Sequence, residues 1–201
     1  MEYRITAPVK REDIAHLRAG DTVLLSGIVY TARDAAHKRM AELIEKGEAL
    51  PFPVEGSAVY YVGPTPEIPG CVIGSAGPTT STRMDAYSPL LIGLGQLIMI
   101  GKGRRSDEVV QAMKKNGAVY LGAVGGAGAV MASRITECEI ICWEDLGCEA
   151  VRRLSVRDLP LTVVIDSLGN DLYTLGPGEY LKSLHKEKQN GLRKKITGAA
   201  L

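Results

Sequence analysis

The sequence predicts an α/β domain built on a mixed, mostly buried sheet. Apolar runs alternate with helical segments, and the continuous β-branched run at 22–31 is typical of a strand covered on both faces. Two short strands at 58–62 and 71–75, joined by a proline-rich loop, favour a mixed rather than a purely parallel sheet. A chain of 201 residues can bury such a core without disulfides or a structural metal.

The elements follow one another in strand–helix alternation. The predicted strands are 3–7, 22–31, 58–62, 71–75, 97–100, 118–123, 138–143 and 161–166. The predicted helices are 10–17, 33–46, 80–94 and 106–116, with a short one after the glycines at 125–128. Gly47 and Gly117 are the expected stops of two of these helices. We therefore treat 1–183 as one domain and 184–201 as a basic polar tail.

Composition excludes several partner classes. The chain is 45% apolar and 23% charged, with a net charge of +1, which gives no general attraction to nucleic acid or to anionic membranes. Residues 1–10 lack an apolar signal segment, and the best apolar stretch, 90–100, falls short of the about 18 residues of a membrane span. We expect a cytoplasmic protein.

The four cysteines are expected to be plain thiols: Cys71, Cys138, Cys142 and Cys148. Their spacing matches no standard zinc pattern. Cys138 and Cys142 lie on a predicted strand, where residues four apart are separated by roughly 13 Å, too far for neighbouring ligands of one small cluster. No metal site is predicted on this chain.

Arg33 stands where a strand ends and a helix begins, in the segment TARDAAHKRM. A planar guanidinium matches carboxylate geometry, and the helix terminus adds N–H donors, so this junction is a candidate carboxylate clamp. The alternative is that Arg33 and Asp34 are ordinary charges of a first helical turn, with His37 packed on the core.

A hydroxyl-rich segment, GPTTSTRMD, precedes the predicted helix at 80–94. Five hydroxyl side chains occur within the eight residues 75–82, whereas a helix cap needs one, so the segment is a candidate anion site. Arg83 follows Thr79 by one helical turn, and both can face one ligand. The alternative is a capping cluster that binds nothing.

Lys102 lies between two glycines at the end of a buried strand, where ligands bind in open α/β sheets. Arg33, Thr79, Arg83 and Lys102 together suit a dianion. The sequence offers no paired catalytic carboxylates, no Ser–His–Asp set and no metal cage. We therefore expect this chain to supply only part of an active site.

Six motifs, in order, resemble the C-terminal domain of class I fumarases and their separate β subunits: TARDAAHKRM, GPTTSTRMD, IGKG, AVGGAGAV, WEDLGCEAV and VRDLPLTVVIDSLGN. The first three are also similar to the β subunit of L-tartrate dehydratase. The resemblance covers residues 3–180 and implies a swivelling β/β/α domain. It also implies an α subunit that carries a [4Fe–4S] cluster, with the active site between the two subunits.

The same resemblance implies individual roles. Thr79 is similar to the proposed catalytic base that takes the C3 proton of malate, and Arg33, Arg83 and Lys102 resemble the groups that bind the substrate's carboxylates. The implied activity is the reversible hydration of fumarate to L-malate, with the fumarate version favoured by WEDLG and AVGGAGAV. Two alternatives stay open: a dehydratase for tartrate or another 2-hydroxy-dicarboxylate, and a non-catalytic anion-binding or assembly module.

Overall fold

A computed structural model of the chain describes residues 1–67, 69–124, 126–178 and 180–181. Within these residues a single sheet contains the strands β1 (Glu2–Ala7), β2 (Thr22–Thr31), β3 (Ala58–Tyr60), β4 (Ile98–Gly101), β5 (Val119–Gly122), β6 (Ile135–Cys142) and β7 (Val151–Ile165). The helices include α1 (Arg11–Ile14), α2 (Asp34–Lys46), α3 (Ser88–Gly93), α4 (Asp107–Asn116) and α5 (Gly128–Ala132), with 3₁₀ turns at Ser81–Met84 and Glu144–Glu149; residues 172–178 are also helical.

Five strands run parallel and end at one edge of the sheet. β1 pairs with β2, and β2, β3, β4 and β5 follow in order, with Tyr30 beside Val59, Ala58 beside Ile98, and Ile98 beside Val119. Every residue of β3 and β4 is buried, as the apolar runs predict. The carboxyl ends of β2 to β5 therefore bring their following loops together.

β7 closes the sheet on itself. It pairs antiparallel with β2 along one side, with Thr22 opposite Thr162, and with β5 and β6 along the other. The result is a seven-stranded mixed sheet in a closed, barrel-like arrangement. The mixed order is as predicted, but its cause differs: the reversed strand is β7, which runs antiparallel to β2, β5 and β6, and not a strand at 71–75.

The two longer outer helices end at the predicted glycines. Gly47 and Gly117 have φ angles of 70° and 73°, in the left-handed region that closes a helix. α2 buries Ala36 and Met40, and α4 buries Val109 and Met113. Because the chain has one Phe, large side chains in the core include three fully buried tyrosines: Tyr60, Tyr61 and Tyr120.

Three sequence predictions are wrong in detail. Residues 71–75 form a loop, in which the Ser75 N–H donates to the Thr65 hydroxyl. The predicted helix 80–94 is a 3₁₀ turn followed by α3, because Pro89 cannot lie inside a continuous helix and is accepted at the start of a new one. The final strand begins at Val151, not at residue 161, since charged residues interrupt its apolar pattern.

The sheet is also less uniformly covered than predicted. β6 lies at the end of the strand order, and several of its residues are exposed, including Ile140. The predicted polar tail, 184–201, lies outside the described residues. In the described part of the chain, no helix has the length and apolar character to cross a membrane.

Candidate active site

The loops after β2, β3 and β4 carry the predicted site residues at one edge of the sheet. Arg33 follows β2, and Lys102 follows β4 directly. The Thr79 N–H donates to the carbonyl of Tyr61, the residue after β3, over 2.7 Å. Thr80 pairs with Lys102 in an isolated parallel bridge. The parallel order of the strands thus brings these loops together as the sequence predicts.

Arg83 reaches the same edge through an ion pair. Its Nη2 lies 2.7 Å from Asp34 Oδ2, at the first residue of α2. The side chain of Arg83 is nearly half exposed, and Lys102 is exposed. Thr79 is half-buried and lies outside the helical turn, so the one-turn helical relation predicted between Thr79 and Arg83 is wrong. A 3₁₀ turn begins only at Ser81.

Arg33 is the most enclosed of the three cations, with 16% of its side chain exposed. Its Nη2 lies 3.1 Å from Glu149 Oε1, and its Nη1 lies 3.9 Å from Cys148 Sγ. Arg33 Nε and Asp34 Oδ1 are buried, 4.0 Å apart, and without hydrogen-bond partners among the described residues. A buried N–H of this kind costs roughly 1–3 kcal/mol until an acceptor is supplied.

Two glycines make room for this arrangement. A Cβ atom on Gly63 would lie 2.6 Å from Arg33 Nη1, and one on Gly101 would overlap Ser81 Oγ. A larger residue at Gly63 would displace the Arg33 guanidinium, and one at Gly101 would displace the Ser81 side chain. The sequence places Gly101 in a motif but gives no signal for Gly63.

The hydroxyl-rich segment divides into two groups. Ser81 is buried, and its Oγ lies 2.8 Å from the Tyr120 hydroxyl, so it is a packing contact rather than an open donor. Thr80 and Thr82 are exposed. The dense anion site predicted from five hydroxyls is therefore reduced, because one of them faces the core.

His37 lies beneath Arg33 and is fully buried. Its Nδ1 is 2.8 Å from the Arg33 carbonyl, which can only accept, so Nδ1 carries the proton. Burial lowers the pKa of His37 to about 4, and this outweighs the carbonyl contact, which raises it. The neutral ring packs edge-on against Tyr61 and supports the loop that carries Arg33.

Two acidic partners were missed from sequence alone. In the alternative interpretation Asp34 is only an ordinary charge of the first helical turn, and Glu149 carries no local signal because it lies 116 positions from Arg33 in the chain. Asp34 forms an ion pair with Arg83, and Glu149 forms one with Arg33. A substrate carboxylate would join or replace these contacts.

The cysteines do not form a cluster-binding set. Cys138 and Cys142 are half-buried on β6, Cys71 is exposed in a loop, and Cys148 is exposed in the 3₁₀ turn at Glu144–Glu149. In the described ranges no group of three or more His, Cys, Asp or Glu side chains could hold a metal ion. These residues do not fit an iron–sulfur cluster.

Comparison with known proteins shows the family of the chain. The family model described as the fumarase C-terminus matches residues 2–176. The chain belongs to this family. Fumarate hydratase 2 of Leishmania major is 39% identical over 82% of this chain and 29% of its own length. The anaerobic class I fumarate hydratase of Escherichia coli K12 is 40% identical over 74% of this chain and 28% of its own length.

A third relative is matched over nearly its whole length. The putative L(+)-tartrate dehydratase subunit beta of Methanocaldococcus jannaschii is 37% identical over 86% of this chain and 91% of its own length. This fumarase C-terminal chain therefore spans under a third of the fumarate hydratases above, and nearly all of the tartrate dehydratase subunit.

Proposed function

We propose that the chain is the β subunit of a two-subunit class I fumarate hydratase, a cytoplasmic hydro-lyase that interconverts fumarate and L-malate. The proposed fold type is the swivelling β/β/α domain. The proposed partner is an α subunit that carries a [4Fe–4S] cluster and completes the site. The match to 28–29% of two fumarate hydratases, against 91% of a separate β subunit, is the observation that carries this proposal.

The charge of the site supports a dicarboxylate substrate. Arg33, Arg83 and Lys102 come from loops at adjacent strand ends, and charge-assisted bonds from guanidinium and ammonium groups are the strong way to bind carboxylates. The unpartnered Nε of Arg33 supplies a further donor. We assign these three residues to the substrate's carboxylates.

Thr79 is the proposed base for the C3 proton of malate. It is half-buried and lies in the loop tied to Lys102 through the Thr80 bridge. A threonine hydroxyl is a weak base, so it needs nearby cations that stabilise its deprotonated form. The same cations would stabilise the extra negative charge that forms on the neighbouring carboxylate as the proton leaves.

A second candidate is a dehydratase for L-tartrate or another 2-hydroxy-dicarboxylate. The tartrate dehydratase subunit of Methanocaldococcus jannaschii favours it, because the match extends over nearly the whole of that subunit. Both candidates use the same cations and differ in what surrounds the substrate's hydroxyl groups.

Co-expression with an α-type partner, followed by anaerobic assay with malate, fumarate and tartrate, tests the proposal. We expect hydration of fumarate and no comparable turnover of tartrate. Preferential turnover of tartrate would select the second candidate. A stable, cluster-loaded complex that is inactive on malate, fumarate and tartrate would support the third hypothesis, a non-catalytic anion-binding or assembly module.

A further inference from the structure

Arg105 is a fully buried charge beneath the edge of the sheet that carries Lys102 and Arg83. Its side chain is 0% exposed. Its Nε donates to Asp85 Oδ1 over 2.7 Å, and its Nη2 donates to the Ser88 hydroxyl over 2.6 Å. A buried guanidinium with such short, directional contacts fixes the positions of the groups it touches.

Two tyrosine rings enclose the same guanidinium. The centre of the guanidinium lies 5.3 Å from the ring of Tyr61 and 5.2 Å from that of Tyr120. Burial acts to lower the pKa of Arg105, but its interactions with Tyr61 and Asp85 outweigh this and raise it, so the charge is retained. Cation–π contacts of this kind gain strength when they are desolvated.

Asp85 binds the loop after β4 at two consecutive residues. Its Oδ1 accepts from Arg105, and its Oδ2 accepts from the Ser106 N–H over 2.6 Å. Asp85 follows Arg83 by two residues, and Arg105 follows Lys102 by three. The carboxylate therefore links the segment that carries Arg83 to the loop that carries Lys102.

A second link lies at the other end of these segments. Thr80 forms the parallel bridge with Lys102, and the Ser81 N–H donates to the Lys102 carbonyl over 2.9 Å. Segments 80–85 and 102–106 are thus tied at both ends, by backbone at Thr80 and by the buried ion pair at Asp85. Arg83 lies between the two ties, and Lys102 is itself held at the first of them.

We propose that Arg105 is a positioning residue that, through Asp85, sets the spacing of Arg83 and Lys102. This inference rests on the proposed function, because the spacing matters for a ligand with two carboxylates. Arg105 itself is enclosed and does not contact substrate. A displacement of about 1 Å in a positioned group can lower the catalytic rate roughly 100-fold.

The test uses the assembled α–β complex with Arg105→Met. We expect a rise in KM for fumarate and a fall in kcat/KM of about 100-fold, with the cluster absorbance unchanged. Arg105→Lys keeps the charge but cannot contact Asp85 and Ser88 in the same fork geometry, so it should recover part of the loss. Arg104→Met, a substitution of the exposed neighbour, should leave KM unchanged.

If Arg105 only stabilised the fold, Arg105→Met would behave like a substitution that lowers stability away from the site. Val23→Ala removes buried volume from β2, near the end of the strand remote from Arg33, and lowers stability without touching the site. If Arg105→Met and Val23→Ala gave equal KM values at temperatures where both are folded, the proposal would be overturned. Asp85→Asn should raise KM as well. The double variant Arg105→Met/Asp85→Asn should have the same KM as Arg105→Met, because both substitutions break the same Arg105–Asp85 ion pair.

A measurement on the isolated chain separates this inference from the proposed function. The Ser81 amide, bonded to Lys102, should exchange with solvent faster in Arg105→Met than in Val23→Ala. If the wild-type complex showed no hydratase activity, the proposed function would fail. The exchange experiment alone would then decide whether Arg105 positions the segment that carries Lys102. Equal Ser81 protection in Arg105→Met, in Arg105→Lys and in the wild type would overturn the positioning role. If Arg105→Met does not fold, Arg105→Lys and Asp85→Asn carry the comparison.

Discussion

Arg83 Nη2 lies 2.7 Å from Asp34 Oδ2, so the turn after the hydroxyl-rich segment is joined to the first residue of α2. The contact brings Arg83 beside Arg33, whose side chain is held in turn by Glu149. Each arginine thus has a carboxylate partner before any substrate arrives. Where such ion pairs are exposed, as at Arg83, they contribute little to stability.

Substitution of Arg83 is expected to weaken substrate binding. In the assembled complex Arg83→Ala should raise KM for malate about 10- to 150-fold, because a charge-assisted hydrogen bond contributes about 1.5–3 kcal/mol. Steady-state kinetics over a wide range of malate concentration measures the change. Arg4→Ala is the matched control, since Arg4 also pairs with an aspartate, Asp158, but lies on β1.

An unchanged KM in Arg83→Ala, with the complex intact, would remove Arg83 from the substrate-binding set. A matching rise in Arg4→Ala would show that any lost arginine disturbs the complex, and that the effect at Arg83 is not specific.

The strand ends could be predicted from the sequence because the signals are local. β2, α2 and α4 follow from apolar runs, helical spacing and stop glycines, and the order of parallel strands then brings Arg33, Thr79 and Lys102 to one edge. Closure of the sheet could not be predicted in this way. In β7, Arg152, Arg153 and Arg157 interrupt the apolar pattern, so only the last part was recognised as a strand.

The partners of the site residues were not predictable for a different reason. Glu149 meets Arg33, and Arg105 meets Asp85, between segments distant in sequence, and no spacing rule encodes such pairs. The helix predicted at 80–94 is wrong because Pro89 interrupts the helical spacing and starts a new helix. The helical relation predicted for Thr79 and Arg83 is wrong because the 3₁₀ turn begins only after Thr79.

Acid is expected to destabilise the chain through His37. The pKa of His37 is lowered from 6.5 to about 4 in the folded chain, so the unfolded chain binds this proton first as pH falls. Stability present above pH 6.5 should therefore be lost progressively down to pH 4, by about 3 kcal/mol for this group. Urea unfolding of the isolated chain at several pH values measures the slope.

His37→Phe keeps an aromatic ring against Tyr61 but cannot titrate, so its unfolding free energy should change less over this range of pH. His16→Phe is the matched control, because His16 is exposed, and it should keep the wild-type slope. Identical slopes in His37→Phe and the wild type would exclude His37 as the source.

Cluster reconstitution of the isolated chain is expected to fail. Cys138, Cys142 and Cys148 do not converge on one point, and Cys148 Sγ accepts a contact from Arg33 Nη1 at 3.9 Å. Anaerobic incubation with iron and sulfide, followed by desalting, should leave no stoichiometric iron, no sulfide and no cluster absorbance. Cys138→Ser should give the same traces as the wild type. If the wild-type chain retained several iron atoms and Cys138→Ser did not, this subunit itself would bind the cluster.

Substitution of Thr79 is expected to affect the chemical step. In a cluster-loaded complex Thr79→Ala should lower kcat with only a modest change in KM, because proton transfer contributes to the transition state and little to substrate binding. General acid–base groups contribute about 100- to 10,000-fold, which sets the size of the loss in kcat. The kcat and KM for malate dehydration measure the effect.

Thr79→Ser is the matched control, since it keeps the hydroxyl and the Thr79 N–H bond to Tyr61, and partial activity should survive. Thr82→Ala removes an exposed hydroxyl from the same segment and should leave kcat near the wild-type value. Because Thr79 is half-buried and its loop is tied to Lys102 through Thr80, a near-normal kcat in Thr79→Ala could not be explained by a neighbouring hydroxyl moving in. The base would then be Lys102 or a residue of the α subunit, and Thr79 would be left with substrate binding.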